Sequence, residues 1–104
     1  MEQDTIIFNF ESFEGAFSVH KEMFRRIKDN GYLTYAELIY EILGESKPTN
    51  IKREYTIYGW QNLFGVSVDH ARSEKGVYWY IKMPDMIVVN KNKLNIERKN
   101  NNEQ

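Results

Sequence analysis

Residues 55–65 read YTIYGWQNLFG, with Tyr55, Tyr58, Trp60 and Phe64 crowded around Gly59. A ring in a small protein either fills the core or meets a partner. Gly59 permits a tight turn, which leaves both places open to Trp60, with the core favoured. Trp60 and Leu63 are therefore expected to plug the core beneath a following hairpin, with Tyr55 and Tyr58 flanking the plug, hydroxyls toward water. The backbone of this region reads two ways. Ile51, Tyr55 and Tyr58 have helical spacing, whereas Thr56-Ile57 favours extended structure and Gly59 weakens a helix end, so residues 51–60 form a third helix or a loop.

Downstream, Val66, Val68 and His70 alternate with polar residues, residues 72–76 turn the chain, and Val77, Trp79, Ile81 and Met83 alternate with Tyr78, Tyr80 and Lys82. This period of two predicts a hairpin with one core face. If Trp79 and Ile81 point inward, Tyr78 and Tyr80 face outward. Pro84 cannot donate to a ladder and ends the strand, while residues 86–89 are suited to a further edge pairing. From Asn90 the chain is rich in Asn, Lys and Glu, with Leu94 and Ile96 its few apolar residues. Residues 1–89 thus read as one domain and 90–104 as a flexible polar tail.

Upstream, the β-branched and aromatic run at residues 5–10 predicts a strand. Phe13, Ala16, Phe17, His20, Met23, Phe24 and Ile27 then recur at three- and four-residue spacing, which places them on one apolar face of a four-turn helix stopped by Asn30-Gly31. Thr34 and Glu37 form a T-x-x-E capping box, with Leu33 and Leu38 placed for a hydrophobic staple. The helix they start carries Tyr35, Leu38, Ile39 and Ile42 on one side and ends at Gly44. A polar stretch with Pro48 follows. These elements compose an α+β domain in which an N-terminal strand, two antiparallel helices and a C-terminal β-hairpin pack as one small sheet-plus-helices unit.

Composition narrows the function classes. A chain of 104 residues fits one domain, and it buries roughly two-thirds of its unfolded surface without staples. It has no cysteine, which excludes disulfides and thiolate metal sites. Residues 1–50 hold nine Asp/Glu against five Lys/Arg, net -4, and residues 51–104 hold six against nine, net +3. The acidic start lacks the basic segment of a secretory signal, and no stretch approaches the roughly 18 apolar residues of a membrane span. A cytoplasmic location without a membrane partner is expected.

Chemistry-bearing motifs are sparse. His20 and His70 fall on different elements, with His20 read as a hydrogen-bonded boundary residue and His70 as solvent-facing. Glu37 and Glu41 sit one helical turn apart, but capping and a solvated face account for them. The run Gly65-Val66-Ser67-Val68-Asp69 begins like a nucleophile elbow yet lacks its second glycine and falls in a strand. Neither phosphate-cradling glycine motif occurs. The expectation is a non-enzymatic protein with no catalytic, metal or cofactor-binding residues.

Residues 31–44, GYLTYAELIYEILG, followed by Tyr58-Gly59-Trp60, Leu63, Gly76 and a strand ending Ile81-Lys82-Met83-Pro84, resemble a family of small uncharacterised phage and prophage proteins. In that family a strand, a helix pair, a YGWxxL element and a hairpin closing on an LP-type step recur in this order. Asn62 stands where the family has an acidic residue before the leucine, and Met86 where it has a second proline. The resemblance implies a phage or mobile-element setting in a bacterial host, and no activity.

Two function classes follow. The first is a small accessory protein that binds another protein, such as a host factor or defence component, through exposed tyrosines: Tyr55, Tyr58, Tyr78 and Tyr80. The alternative is a winged-helix-like nucleic-acid-binding module, with residues 51–60 as the third helix, Lys52 and Arg53 near phosphates, and Arg72 and Lys75 at the wing tip. The sequence pI near 6.1 favours the first. Self-association is compatible with either.

Overall fold

The computed structural model describes residues 5–92. The elements run β1 (Ile6–Phe10), α1 (Phe13–Asn30), β2 (Leu33–Thr34), a π-helical segment (Glu37–Ile42), α2 (Glu54–Ile57), β3 (Tyr58–Trp60), β4 (Val68–Ser73), β5 (Gly76–Met83) and β6 (Ile87–Val88). The α+β class agrees with the sequence reading. The strands, however, form two antiparallel three-stranded sheets, ordered β1-β5-β4 and β2-β3-β6.

The first sheet follows from the period-two pattern. Ile6, Phe8 and Phe10 stand opposite Met83, Ile81 and Trp79, and Val68 and His70 stand opposite Ile81 and Trp79 from the other side. All of these side chains share one face, because alternate residues of a strand point the same way. Helix α1 lies across that face. Ser12 caps its start by accepting from the Gly15 N–H at 3.1 Å, and Gly31 ends it in the left-handed conformation, φ 87°, with its N–H on the Ile27 carbonyl at 2.7 Å. Ala16 and Met23 are fully buried beneath the helix, and Met23, Leu33, Leu38, Trp60, Val66, Ile81 and Met83 form the core.

The second sheet is built around Gly59. A Cβ at this position would stand 1.9 Å from the Leu33 carbonyl oxygen and 2.8 Å from the Thr34 Cα, so only glycine allows β3 to pair with β2. Trp60 follows it into the core with 2% of its surface exposed, and its indole N–H donates to the Pro84 carbonyl at 2.8 Å. This bond ties β3 to the residue immediately after β5, joining the two sheets. Leu63 packs against the same core. The expected plug of Trp60 and Leu63 is present, and Gly59 and Trp60 of the Tyr-Gly-Trp step each have a structural role.

The capping box forms as expected. Thr34 Oγ1 accepts from the Glu37 N–H at 3.1 Å and Glu37 Oε1 accepts from the Thr34 N–H at 3.4 Å. The helix it starts is wider than an α-helix: the Leu43 N–H bonds the Leu38 carbonyl five residues back, at 2.8 Å. Leu38 and Ile39 are nevertheless buried. Arg26 of α1 reaches across to this segment, donating to Glu41 at 2.9 Å and Glu37 at 3.5 Å. Glu41 is therefore paired as well as solvated.

Residues 51–60 form neither a long helix nor a loop. Helix α2 is a single turn, after which the chain extends into β3. The β-branched Thr56-Ile57 pair and the closeness that β2 demands of Gly59 end the turn. The pairing foreseen for residues 86–89 occurs at β6, which joins β3 instead of the hairpin. Val89 and Asn90 both donate to the Ile57 carbonyl, at 2.9 and 3.2 Å. The rest of the expected tail, with Leu94 and Ile96, lies outside the described residues. Among the described residues, no helix is long and apolar enough to cross a membrane.

Candidate functional site

The four tyrosines chosen from the sequence separate into two pairs. Tyr55 and Tyr58 belong to α2 and β3 of the second sheet, and both are half-buried. Tyr55 packs edge-on against Tyr35 at 4.8 Å, with the Lys52 ammonium 5.7 Å above its ring, and Tyr35 leans on Trp60 at 6.4 Å. Burial pushes the Tyr35 hydroxyl pKa up, and the neighbouring Tyr55 and Glu45 add to the shift. This stack is committed largely to the fold. Tyr78 and Tyr80 do face outward, since Trp79 and Ile81 point in. They are half-buried and lie 6.2 Å apart on the outer face of the first sheet.

The basic residues also separate. Trp60 places β3 at the Met83 end of β5, and Lys52 and Arg53 immediately precede α2, which leads into β3. Arg72 and Lys75 lie at the opposite end, around the turn between β4 and β5. Eight residues of β5 at about 3.3 Å each separate the two ends by about 25 Å. The four side chains therefore do not form one phosphate-facing surface.

The histidines have ordinary partners. His20 Nε2 donates to the Val66 carbonyl at 3.1 Å, as a boundary histidine would. His70 is exposed and rests on the Trp79 ring at 5.1 Å. Among the described residues, no group of three or more His, Asp or Glu side chains is arranged to hold a metal ion.

A different surface stands out. Phe13, Phe17 and Phe24, read from the sequence as core, are 43%, 50% and 57% exposed, and Phe64 is 86% exposed. The reason is geometric. At 100° per residue, these three positions lie about 60–120° around α1 from the buried Ala16 and Met23. A sheet of three strands, spaced about 4.8 Å apart, is too narrow to cover so wide an apolar arc. The rings therefore overhang its edge toward β4 and the loop before it.

That overhang is continuous. Phe13 stacks on Phe17 at 5.6 Å and meets Trp79 edge-on at 5.1 Å, and Trp79 carries His70. Further along the helix, His20, Phe24, Ile27 and Lys28 face Gln61, Asn62, Leu63 and Phe64 across an apolar groove of about 410 Å³. The loop is shaped to present Phe64. Asn62 Oδ1 accepts from the Phe64 N–H at 3.1 Å, and the Val66 N–H bonds the Leu63 carbonyl at 3.0 Å, so Leu63 turns in while Phe64 turns out. The missed signal was the angular offset of the phenylalanines from the small Ala16, which marks where the sheet comes closest.

No protein-family model, curated protein or solved structure matches the chain.

Proposed function

We propose that this chain is a small non-enzymatic binding protein that docks on another protein through the aromatic band of α1 and the Phe64 loop. Its working context is a phage or mobile element in a bacterial host, with a host factor or defence component as the expected class of partner. The single observation that carries the binding surface is the exposure of Phe13, Phe17, Phe24 and Phe64 along one flank. Burying one phenyl ring is worth about 1.5–3 kcal/mol, and contiguous exposed apolar surface of this size commonly marks an interaction site. The phage setting rests on the Tyr58-Gly59-Trp60 resemblance alone. Nucleic-acid binding has less support, because residues 51–60 supply no groove-length helix and the basic pairs sit at opposite ends of β5.

The test compares surfaces. Tagged wild-type protein, Phe64→Ser, Phe24→Ser and Tyr78→Ala are used to capture partners from bacterial lysate, alongside anisotropy titrations with labelled DNA. Capture lost with Phe64→Ser and Phe24→Ser but kept with Tyr78→Ala supports the band. Capture lost only with Tyr78→Ala moves the site to the outer face of the sheet, and salt-sensitive DNA binding without protein capture favours the nucleic-acid reading.

A further inference from the structure

The charges of α1 divide into two groups. On the flank toward the π-helical segment, Glu22, Arg25, Arg26 and Asp29 pair with one another or with Glu37 and Glu41. Beside the phenyl rings run Glu14, Lys21 and Lys28, seven residues apart and therefore in one row next to Phe17 and Phe24. Among the described residues none of these three has an ion pair. The row is acidic at its start and basic at its end. It is complementary to itself when reversed.

We propose that this flank pairs with the same flank of a second copy of the chain, the two α1 helices running antiparallel about a two-fold axis near His20 and Lys21. The inference rests on the reading of this band as a protein-binding surface and gives it a second copy of the chain as occupant. Reversal about that axis sets Phe17 of each copy against Phe24 of the other and Glu14 against Lys28. The midpoints of the two pairings, 20.5 and 21, differ by half a residue, under an ångström at about 1.5 Å per residue. The apolar groove between Phe24, Ile27, Leu63 and Phe64, rimmed by Lys28, then receives the partner's Phe17 ring. Glu14 arrives at the rim beside that ring. Lys21 meets its own copy at the axis, where its long stem carries the ammonium outward. At about 200 Å² per aromatic side chain, the four phenylalanines leave roughly 470 Å² exposed per copy. Both copies together, with the flanking stems, approach the roughly 1,200 Å² of a small specific interface. The Phe17–Phe24 and Glu14–Lys28 contacts each occur twice by symmetry.

Sedimentation equilibrium across roughly 1–500 µM covers the range in which an interface of this size dissociates. The wild-type chain is expected to show a monomer–dimer equilibrium, and Phe17→Ser to remain monomeric throughout. Glu14→Lys or Lys28→Glu alone, which turns both attractions into repulsions, should weaken association by about tenfold, and the double exchange Glu14→Lys with Lys28→Glu should restore it. Circular dichroism confirms that each variant is folded. A wild-type chain monomeric at the highest concentration overturns the pairing, as does a dimer indifferent to the charge exchanges. Either result leaves the lysate comparison of Phe24→Ser and Phe64→Ser to decide separately whether the band binds a different protein.

Discussion

Replacing Trp60 with alanine tests the joint between the two sheets. The side chain is 2% exposed and lies in the core with Leu33, Leu38, Ile81 and Met83, so its removal leaves a cavity that those neighbours fill only partly. Such truncations cost about 3–5 kcal/mol. The lost indole bond to the Pro84 carbonyl, 2.8 Å long, adds about 1 kcal/mol. No larger penalty arises there, because Pro84 is exposed and water can take the vacated oxygen. Together these remove about 4–6 kcal/mol from a domain whose whole stability is roughly 5–13 kcal/mol. Urea unfolding followed by far-UV circular dichroism reads the result without depending on Trp79 fluorescence. With a slope of about 1–1.5 kcal/mol per molar, the midpoint should fall by about 3 M or more. Trp60→Phe keeps most of the apolar volume and should lose about 1–2 kcal/mol. A midpoint change below about 0.5 M in the alanine variant would refute the assignment of Trp60 as the joint.

Two further outcomes follow from the fold. Gly59→Ala brings a Cβ to 1.9 Å from the Leu33 carbonyl oxygen, and since that neighbour is backbone, β2 and β3 must part. The expected cost is about 2–3 kcal/mol, with faster amide exchange in β2, β3 and β6 while the β4–β5 ladder keeps its protection; uniform protection would contradict the close approach. Hydrogen bonds from Arg25 and Arg26 hold the Glu22 carboxyl down at about 2, against its ordinary 4.5. A carboxyl depressed in the folded state contributes stability that is fully present above its unfolded pKa, and this is lost as pH falls from about 4.5 toward 2. Glu22→Gln should therefore flatten the stability curve in that window and converge on the wild type at its acid end. Urea midpoints measured at half-unit intervals check this, and curves of equal slope would count against it.

Features written in local sequence were legible. Helix α1 and its stop at Gly31, the Thr34–Glu37 box, the β4–β5 hairpin and the end of β5 before Pro84 each depend on groups within a few residues of one another. The burial of Trp60 was favoured but not decided by sequence, because a large ring beside glycine goes either way: Trp60 beside Gly59 is 2% exposed and Phe64 beside Gly65 is 86% exposed. The second sheet was not legible. Its strands are two or three residues long, too short for any period, and β3 exists because Leu33–Thr34 and Ile87–Val88 lie on either side of it. The extra residue per turn in the π-helical segment likewise has no sequence signal.

The aromatic band marks the boundary most clearly. The spacing of Phe13, Phe17 and Phe24 places all three on the apolar arc of α1, and that much follows from helix geometry alone. How much of the arc is covered depends on the width of the sheet beneath it, on the depth to which Ala16 lets the helix sink, and on where the loop carrying Phe64 ends. Those are contacts between residues far apart in the chain. Local sequence therefore determined which surface α1 makes apolar, and the tertiary structure decided which part of that surface remains open.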